Sequence, residues 1–598
     1  VESVEVESAA SKSTAVAEGG PAWVVSPYAA EENLPSVGRS LFDFLVTEQR
    51  GGSREYAVPF PFTVLIARVA ERSGSDPAAT LPGVKQVLIP LGRSLQRLSA
   101  GLEFFKYPRV VAAVDQEAPT ITRLPAMLLR DRLYLGYQEK AGLIEVISYN
   151  EAAGRFEFQL VKDYRAGGRP RVVYANRAVC MACHQNGAPI FSRPLWAETN
   201  ANPRIAALLK KEGRDFYGLN LDRGVDVPNA IDNATDRANE LALHQLLWRE
   251  GCGEGDTGLV CRARLFEEVV RYKLSQERLV QRSAAYRRDV GERIAQSARG
   301  RWPQGLALGN PDIPNRDPLA VTTGGPILSA SLADINPAFD PLQPRPPLEV
   351  WRFERAEDAD RLVPGYAGML AASDMRRLAS SARLSRADAI SVRDFAPIGR
   401  AIAAMLWEAR EGRYDGFDPA PFRRARLMPA LLRHLGAASA EWCCVDATGM
   451  PPARMDVTEG VGPHARTAAG IPGGYYTYCA SCHQTTEHTP PNFLTDDGPG
   501  AEAKIAHCAA RIYARLSMWR RDTVTREKTP MPPSYALMGH GLSEAAWLKG
   551  SDLDRLIDYA GERVKTAEGK MPQLSELLRT GYESLRPCLP DPAHAAAQ

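Results

Sequence analysis

From about residue 56 to 178, apolar and polar positions alternate in short runs, and turn-forming residues separate the runs. Alternation with a period of two is the mark of a half-buried strand. The stretches 132–137, 142–149, 155–161 and 171–174 carry it most clearly, with breaks at 150–154 and at Gly167 and Gly168. This part predicts an antiparallel meander. Ahead of it, 35–46 reads as a loop leading into a short amphipathic helix. Further along, apolar residues recur at helical spacing over 241–248, 263–296 and 386–436. Ile398, Ile402, Met405 and Leu406 form one stripe there, expected in a core. Ile505, Ile512, Leu516 and Trp519 share one face of an expected helix at 502–520, and 552–564 predicts a closing helix.

Three stretches lack a period. Residues 1–30, rich in Ser, Ala, Glu and Gly, read as a flexible or draped arm. Residues 311–347 hold many prolines and read as a long linker, and 449–474 are again rich in Pro and Gly. The expected class is α+β, mostly helical domains with an antiparallel β-rich N-terminal part. The expected division is an arm at 1–30, a β-rich then helical domain at 31–310, a proline-rich linker and helical segment at 311–465, and a last domain at 466–598. A chain of 598 residues agrees with two to four domains.

Composition narrows the class. Apolar content of 44% and charged content of 24% are ordinary for a globular protein. A net charge of +2 argues against a nucleic-acid binder, which needs a strongly basic face. No apolar run approaches the ~18 residues of a membrane span. The chain begins at Val1 rather than Met, which suggests a removed leader and an exported, periplasmic setting.

The chemistry lies in two pentapeptides, Cys180-Met181-Ala182-Cys183-His184 and Cys479-Ala480-Ser481-Cys482-His483. Both read C-x-x-C-H, the attachment signature of c-type haem. Two thiols one helical turn apart can bond the two vinyl groups of one porphyrin edge, and the adjoining imidazole can ligate the iron. A four-thiolate zinc ribbon expects its cysteine pairs about 15–20 residues apart. A redox dithiol does not explain a histidine after both pairs. The sequence therefore predicts two covalently attached haems c, on Cys180, Cys183 and His184 and on Cys479, Cys482 and His483. The other six cysteines, Cys252, Cys261, Cys443, Cys444, Cys508 and Cys588, can form up to three disulfides. Cys252 with Cys261, across a Gly-rich loop, is the best single pairing. That usage suits an oxidising compartment.

Downstream of His483, Met531 stands among Pro530, Pro532 and Pro533. A thioether held by prolines can face iron opposite the histidine, and His/Met ligation raises the potential. Met538 and His540 are the competing ligands. With its pentapeptide, Pro-Met-Pro and closing helix, the stretch from about 471 to 566 resembles a class I cytochrome c, which implies Met531 as the distal ligand. The first pentapeptide has no comparable Pro-Met-Pro nearby. Its distal candidates are His244, His434, Met369, Met428 or none, and an empty sixth position would admit peroxide or dioxygen. Trp196, Tyr174 and Tyr217 are expected to line the pocket rather than relay electrons.

Two haems c in one large chain also resemble the bacterial dihaem cytochrome c peroxidase superfamily. Its relatives include the dihaem enzyme that matures methylamine dehydrogenase and the dihaem rubber oxygenase. The likeness is one of cofactor content. It implies a dihaem oxidoreductase whose second haem relays electrons while the first acts on peroxide or dioxygen. Its partner would be a redox protein or a small-molecule donor or acceptor. The alternative is a pure electron-transfer cytochrome or the cytochrome subunit of a larger redox complex. No phosphate-binding Gly loop, H-E-x-x-H or G-x-S-x-G is present to support a hydrolase or nucleotide enzyme.

Overall fold

The computed structural model describes residues 20–588 apart from 27–31, 74–82, 91–102, 118–126, 182, 192–197, 223, 278–281, 312–341, 344, 355, 383, 385–391, 438–441, 457–469, 484–490, 492 and 495–497. Three sheets are present among these residues. Strand β1 is Ala22–Trp23, and β2 (Thr47–Arg50) and β3 (Ser53–Tyr56) form a hairpin. Six strands then run as a meander: β4 (Val84–Ile89), β5 (Arg109–Val114), β6 (Leu133–Gln138), β7 (Leu143–Asn150), β8 (Arg155–Lys162) and β9 (Arg171–Tyr174). Every neighbouring pair in it is antiparallel. The last four match the alternating runs closely. Gly142, Gly154 and Gly167 turn the chain between them, each at a positive φ that side chains rarely adopt.

The register sorts side chains onto two faces, because residues paired across strands share a face. One face carries Arg109, Tyr134, Glu145, Ile147, Phe158 and Leu160. The helix Asp226–Leu246 packs here, and Tyr134 donates its hydroxyl to the Ala234 carbonyl at 2.7 Å. The other face carries Tyr137, Gln159 and Tyr174. Helices Leu41–Leu45 and Phe62–Ser73 cover it, with Phe62 stacked on Tyr137. Asp43 is fully buried on that side and accepts from the hydroxyls of Tyr56 at 2.8 Å and Tyr174 at 2.5 Å. Burial raises its carboxyl above the usual range, against the pull of those hydrogen bonds.

Strands β10 (Leu306–Leu308) and β11 (Glu349–Trp351) complete the small sheet, with β10 between β1 and β11. The draped arm thus contributes one strand, although 1–19 and most of the linker at 311–347 lie outside the described residues. One buried apolar cluster reaches from Ala22 to Cys444, so the helices Val392–Arg410 and Arg424–His434 share a core with the sheet. Ile398, Ile402 and Met405 are buried in it, and Leu406 packs against it. A second cluster gathers Ile471, Tyr475, Phe493, Ile505, Ile512, Leu516, Trp519 and Leu556. It includes the expected face of 502–520, which here is two helices, Gly498–His507 and Ala509–Ser517, followed by a short 3₁₀ turn.

Three cysteine pairs lie at disulfide distance: Cys252 with Cys261, Cys443 with Cys444 and Cys508 with Cys588. The first is the pairing expected across the Gly-rich loop. Beside it the guanidinium of Arg262 is buried and donates to the carbonyls of Trp248, Arg249, Gly253 and Phe417, closing a helix end that would otherwise leave acceptors unmet. Among the described residues no helix is long and apolar enough to cross a membrane.

Candidate functional site

The two pentapeptides adopt the same local turn. In the first, the His184 N–H donates to the Cys180 carbonyl at 2.9 Å and the Cys183 N–H to the same oxygen at 3.2 Å. In the second, His483 and Cys482 donate to the Cys479 carbonyl at 2.8 and 3.1 Å. Cys180 lies in the short helix Arg177–Met181, and Cys482 and His483 lie in Ala480–His483. All four cysteines stand outside the three disulfides. Burial pushes the thiols of Cys180 and Cys479 up to about 12, so both stay protonated in apolar surroundings.

The histidines match as well. His184 Nδ1 lies 2.9 Å from the Ala188 carbonyl, four residues on, and His483 Nδ1 lies 2.7 Å from the Pro491 carbonyl, eight residues on. Each carbonyl can only accept, so each Nδ1 carries the proton and each Nε2 keeps its lone pair. A second hydrogen bond of this kind fixes tautomer and ring orientation in a metal-ligating histidine. Desolvation lowers both imidazoles to about 4, which keeps them neutral at pH 7.

The surroundings of the first pentapeptide come from the sheet. Phe158, Ala175 and Met181 form a small buried cluster separate from the main core, with Val25, Ile147, Leu160 and Cys180 packed against it. Phe158 lies 5.4 Å from the His184 ring, centroid to centroid. Further out on the same face Arg109 pairs with Glu145 at 2.6 Å. Gly136 lies between them on β6. A Cβ there would sit 2.5 Å from the Arg109 guanidinium, so glycine leaves the passage open. Asn186, two residues past His184, is 4% exposed, yet neither atom of its amide has a hydrogen-bond partner. Such an orphaned amide beside His184 fits a bound group with a polar edge, as a porphyrin carboxylate would provide.

At the second pentapeptide the His483 ring stacks on Phe493 at 4.4 Å, and Leu494 donates to the His483 carbonyl. Met531 is half-buried, and its backbone is held from two sides. Its N–H donates to the Arg515 carbonyl at 3.0 Å, and the Trp519 indole N–H reaches its carbonyl at 3.1 Å. The Arg515 charge also disfavours protonation of His483, so one residue neighbours both expected ligands. Of the competitors, His540 is exposed against Tyr478, and the Met538 side chain lies outside the described residues. With haem c attached at Cys479 and Cys482, replacing Met531 with Ala is expected to lower its potential and change its absorbance spectrum. Redox titration followed by absorbance checks both, and unchanged values would remove Met531 from the iron.

The distal candidates of the first site are placed elsewhere. His244 is buried against Trp351 and Tyr366, its Nδ1 held by the Glu240 carbonyl at 2.7 Å. Gly365 presses on its other edge, and a Cβ there would overlap Nε2. Met369 and Met428 are buried in the main core, and His434 pairs with Glu408 at 3.3 Å. Met369 and Met428 are not members of the cluster around Cys180. Tyr174 and Tyr217 are not pocket linings either. Tyr174 points to Asp43 on the far face of the sheet, and Tyr217 packs on Phe62 and Tyr137 of that same face. Trp196 lies outside the described residues.

Among the described residues no three His, Cys, Asp or Glu side chains converge to hold a metal ion by themselves. No family model, curated protein or solved structure matches the chain.

Proposed function

We propose that the chain carries two covalently attached haems c and works as an exported dihaem oxidoreductase, its second haem relaying electrons and its first acting on peroxide or dioxygen. The observation that carries the reading is the repeated turn. Twice, two thiols outside any disulfide stand one turn apart beside a neutral imidazole whose Nδ1 is committed to a backbone carbonyl. Bound haem iron supplies one-electron transfer and, where its sixth position is open, reaction with peroxide or dioxygen.

The protein's own part is to orient and hold. Ala188 and Pro491 orient the two imidazoles and Phe158 and Phe493 pack against them, and Cys180 with Cys183 and Cys479 with Cys482 would hold the two porphyrins. Met531 is the proposed sixth ligand of the second iron, giving the high potential that a relay needs. Of the four distal candidates, His244 and His434 hold other partners and Met369 and Met428 pack in the main core, which supports the reading of an open position among the described residues. The cysteine pairs and the haem attachment both suit the periplasm. The resemblance to class I cytochrome c and to the dihaem peroxidases belongs to this proposal.

Electron paramagnetic resonance on the oxidised protein, with a peroxide-turnover assay using a reduced cytochrome or dye, tests the division of labour. One high-spin and one low-spin haem with turnover is expected. Two low-spin haems in every redox state, without turnover, would favour the electron-carrier alternative.

A further inference from the structure

The first pentapeptide is gripped from outside by chain more than a hundred residues away. The Arg345 guanidinium donates to the Cys183 carbonyl at 2.7 Å and to the Asn310 carbonyl at 3.1 Å. Its backbone N–H donates to Gln185 Oε1 at 2.9 Å, while Gln185 Nε2 donates to the Gln343 carbonyl at 2.8 Å. The turn 183–185 is thus tied on both sides, to Gln343 and to Arg345. Gly309, at the end of β10, closes the cradle. A Cβ on it would stand 2.6 Å from the Asn186 Cβ, so only glycine allows the strand end to come this close. The sequence separations of these bonds are 162 for Arg345 with Cys183 and 158 for Gln185 with Gln343.

Position gives Arg345 a second property. Cys183 immediately precedes the proposed iron ligand, and the guanidinium bonds its carbonyl. Among the described residues, Arg345 and Arg109 are cations that bear on His184. Arg109 also bonds Glu145, at 2.6 Å. A positive charge held at a site of low dielectric stabilises the less positive of two redox states. For a haem that is the reduced state.

We propose that Arg345 is the positioning residue of the first haem site, fixing the turn that presents His184 and raising the reduction potential of the iron bound there. The inference rests on the haem reading above and deepens it. It assigns to the end of the proline-rich stretch a part in tuning the site.

The test is equilibrium redox titration of the full chain, matured with haem, as wild type, Arg345→Gln and Arg345→Lys. Haem per chain is measured on each, and the second haem serves as internal reference. Arg345→Gln is expected to lower the first potential by about 59 mV, a tenfold change in a one-electron equilibrium. The second should not move. Arg345→Lys keeps the charge and should restore most of the shift. A loaded Arg345→Gln protein with an unchanged first potential, or a Lys variant as low as the Gln variant, overturns the proposal. Were Arg345→Gln to lose the first haem, Arg345→Lys decides. A loaded first haem near the parental potential supports the charge, and a lost haem or lowered potential overturns it. Wild-type protein with no haem on residues 180–184 would instead refute the haem reading, and haem counting separates the two failures.

Discussion

Changing Cys479 and Cys482 together to serine is expected to halve the covalent haem and to unfold the C-terminal part, whereas the same change at Cys180 and Cys183 should halve the haem and leave the fold standing. The asymmetry follows from where each site sits. Cys479 packs directly on the second apolar cluster, with Tyr475, Phe493 and Leu556 among its members, and His483 stacks on Phe493. A porphyrin bonded there, as proposed, would be a large part of the interior of a small domain, and small domains have little burial to spare. Among the described residues Cys180 packs against the satellite cluster of Phe158, Ala175 and Met181, while it is not a member of the main core from Ala22 to Cys444. Circular dichroism and limited proteolysis of the two double variants check this. Equal loss of structure in both would show that the porphyrins support the two parts alike.

The second large effect is on the Cys508–Cys588 pair. It closes a loop across 80 residues of sequence and ties the start of the helix Ala509–Ser517 to the end of the domain. In the chain-entropy account, restoring freedom to an unfolded loop of that length costs about 4.5 kcal/mol, against about 2.6 kcal/mol for the short Cys252–Cys261 loop. Replacing both cysteines of the long loop with alanine should therefore destabilise the C-terminal domain by about 4.5 kcal/mol, read as a lower denaturation midpoint. A loss no larger than that of the short-loop variant would contradict the entropic account.

How far the sequence could be read depended on whether its signals were local. The alternating runs at 132–174 located β6 to β9 because one period of two fills each strand. Strands β1, β10 and β11, two or three residues long, have no period to detect. The face of 502–520 was legible, but the break between its two helices, at Cys508, was not. The pentapeptides announced the site in five residues each. What surrounds them is assembled from afar, and only part of it left a trace. Gly136 inside a strand pattern is a signal of close backbone approach, and the passage of Arg109 to Glu145 accounts for it. Arg345 stands among prolines with no periodic context, and nothing local tells that it reaches Cys183. Tyr174 precedes the first pentapeptide by six residues, yet strand pleating turns its side chain to the opposite face.

The direct test of the central claim is peptide mass spectrometry of the chain produced with export and haem-attachment machinery. The fragments bearing 180–184 and 479–483 should each weigh one tetrapyrrole more than their sequence. Finding either fragment with two unmodified thiols would contradict the account at that site, and finding both so would end it.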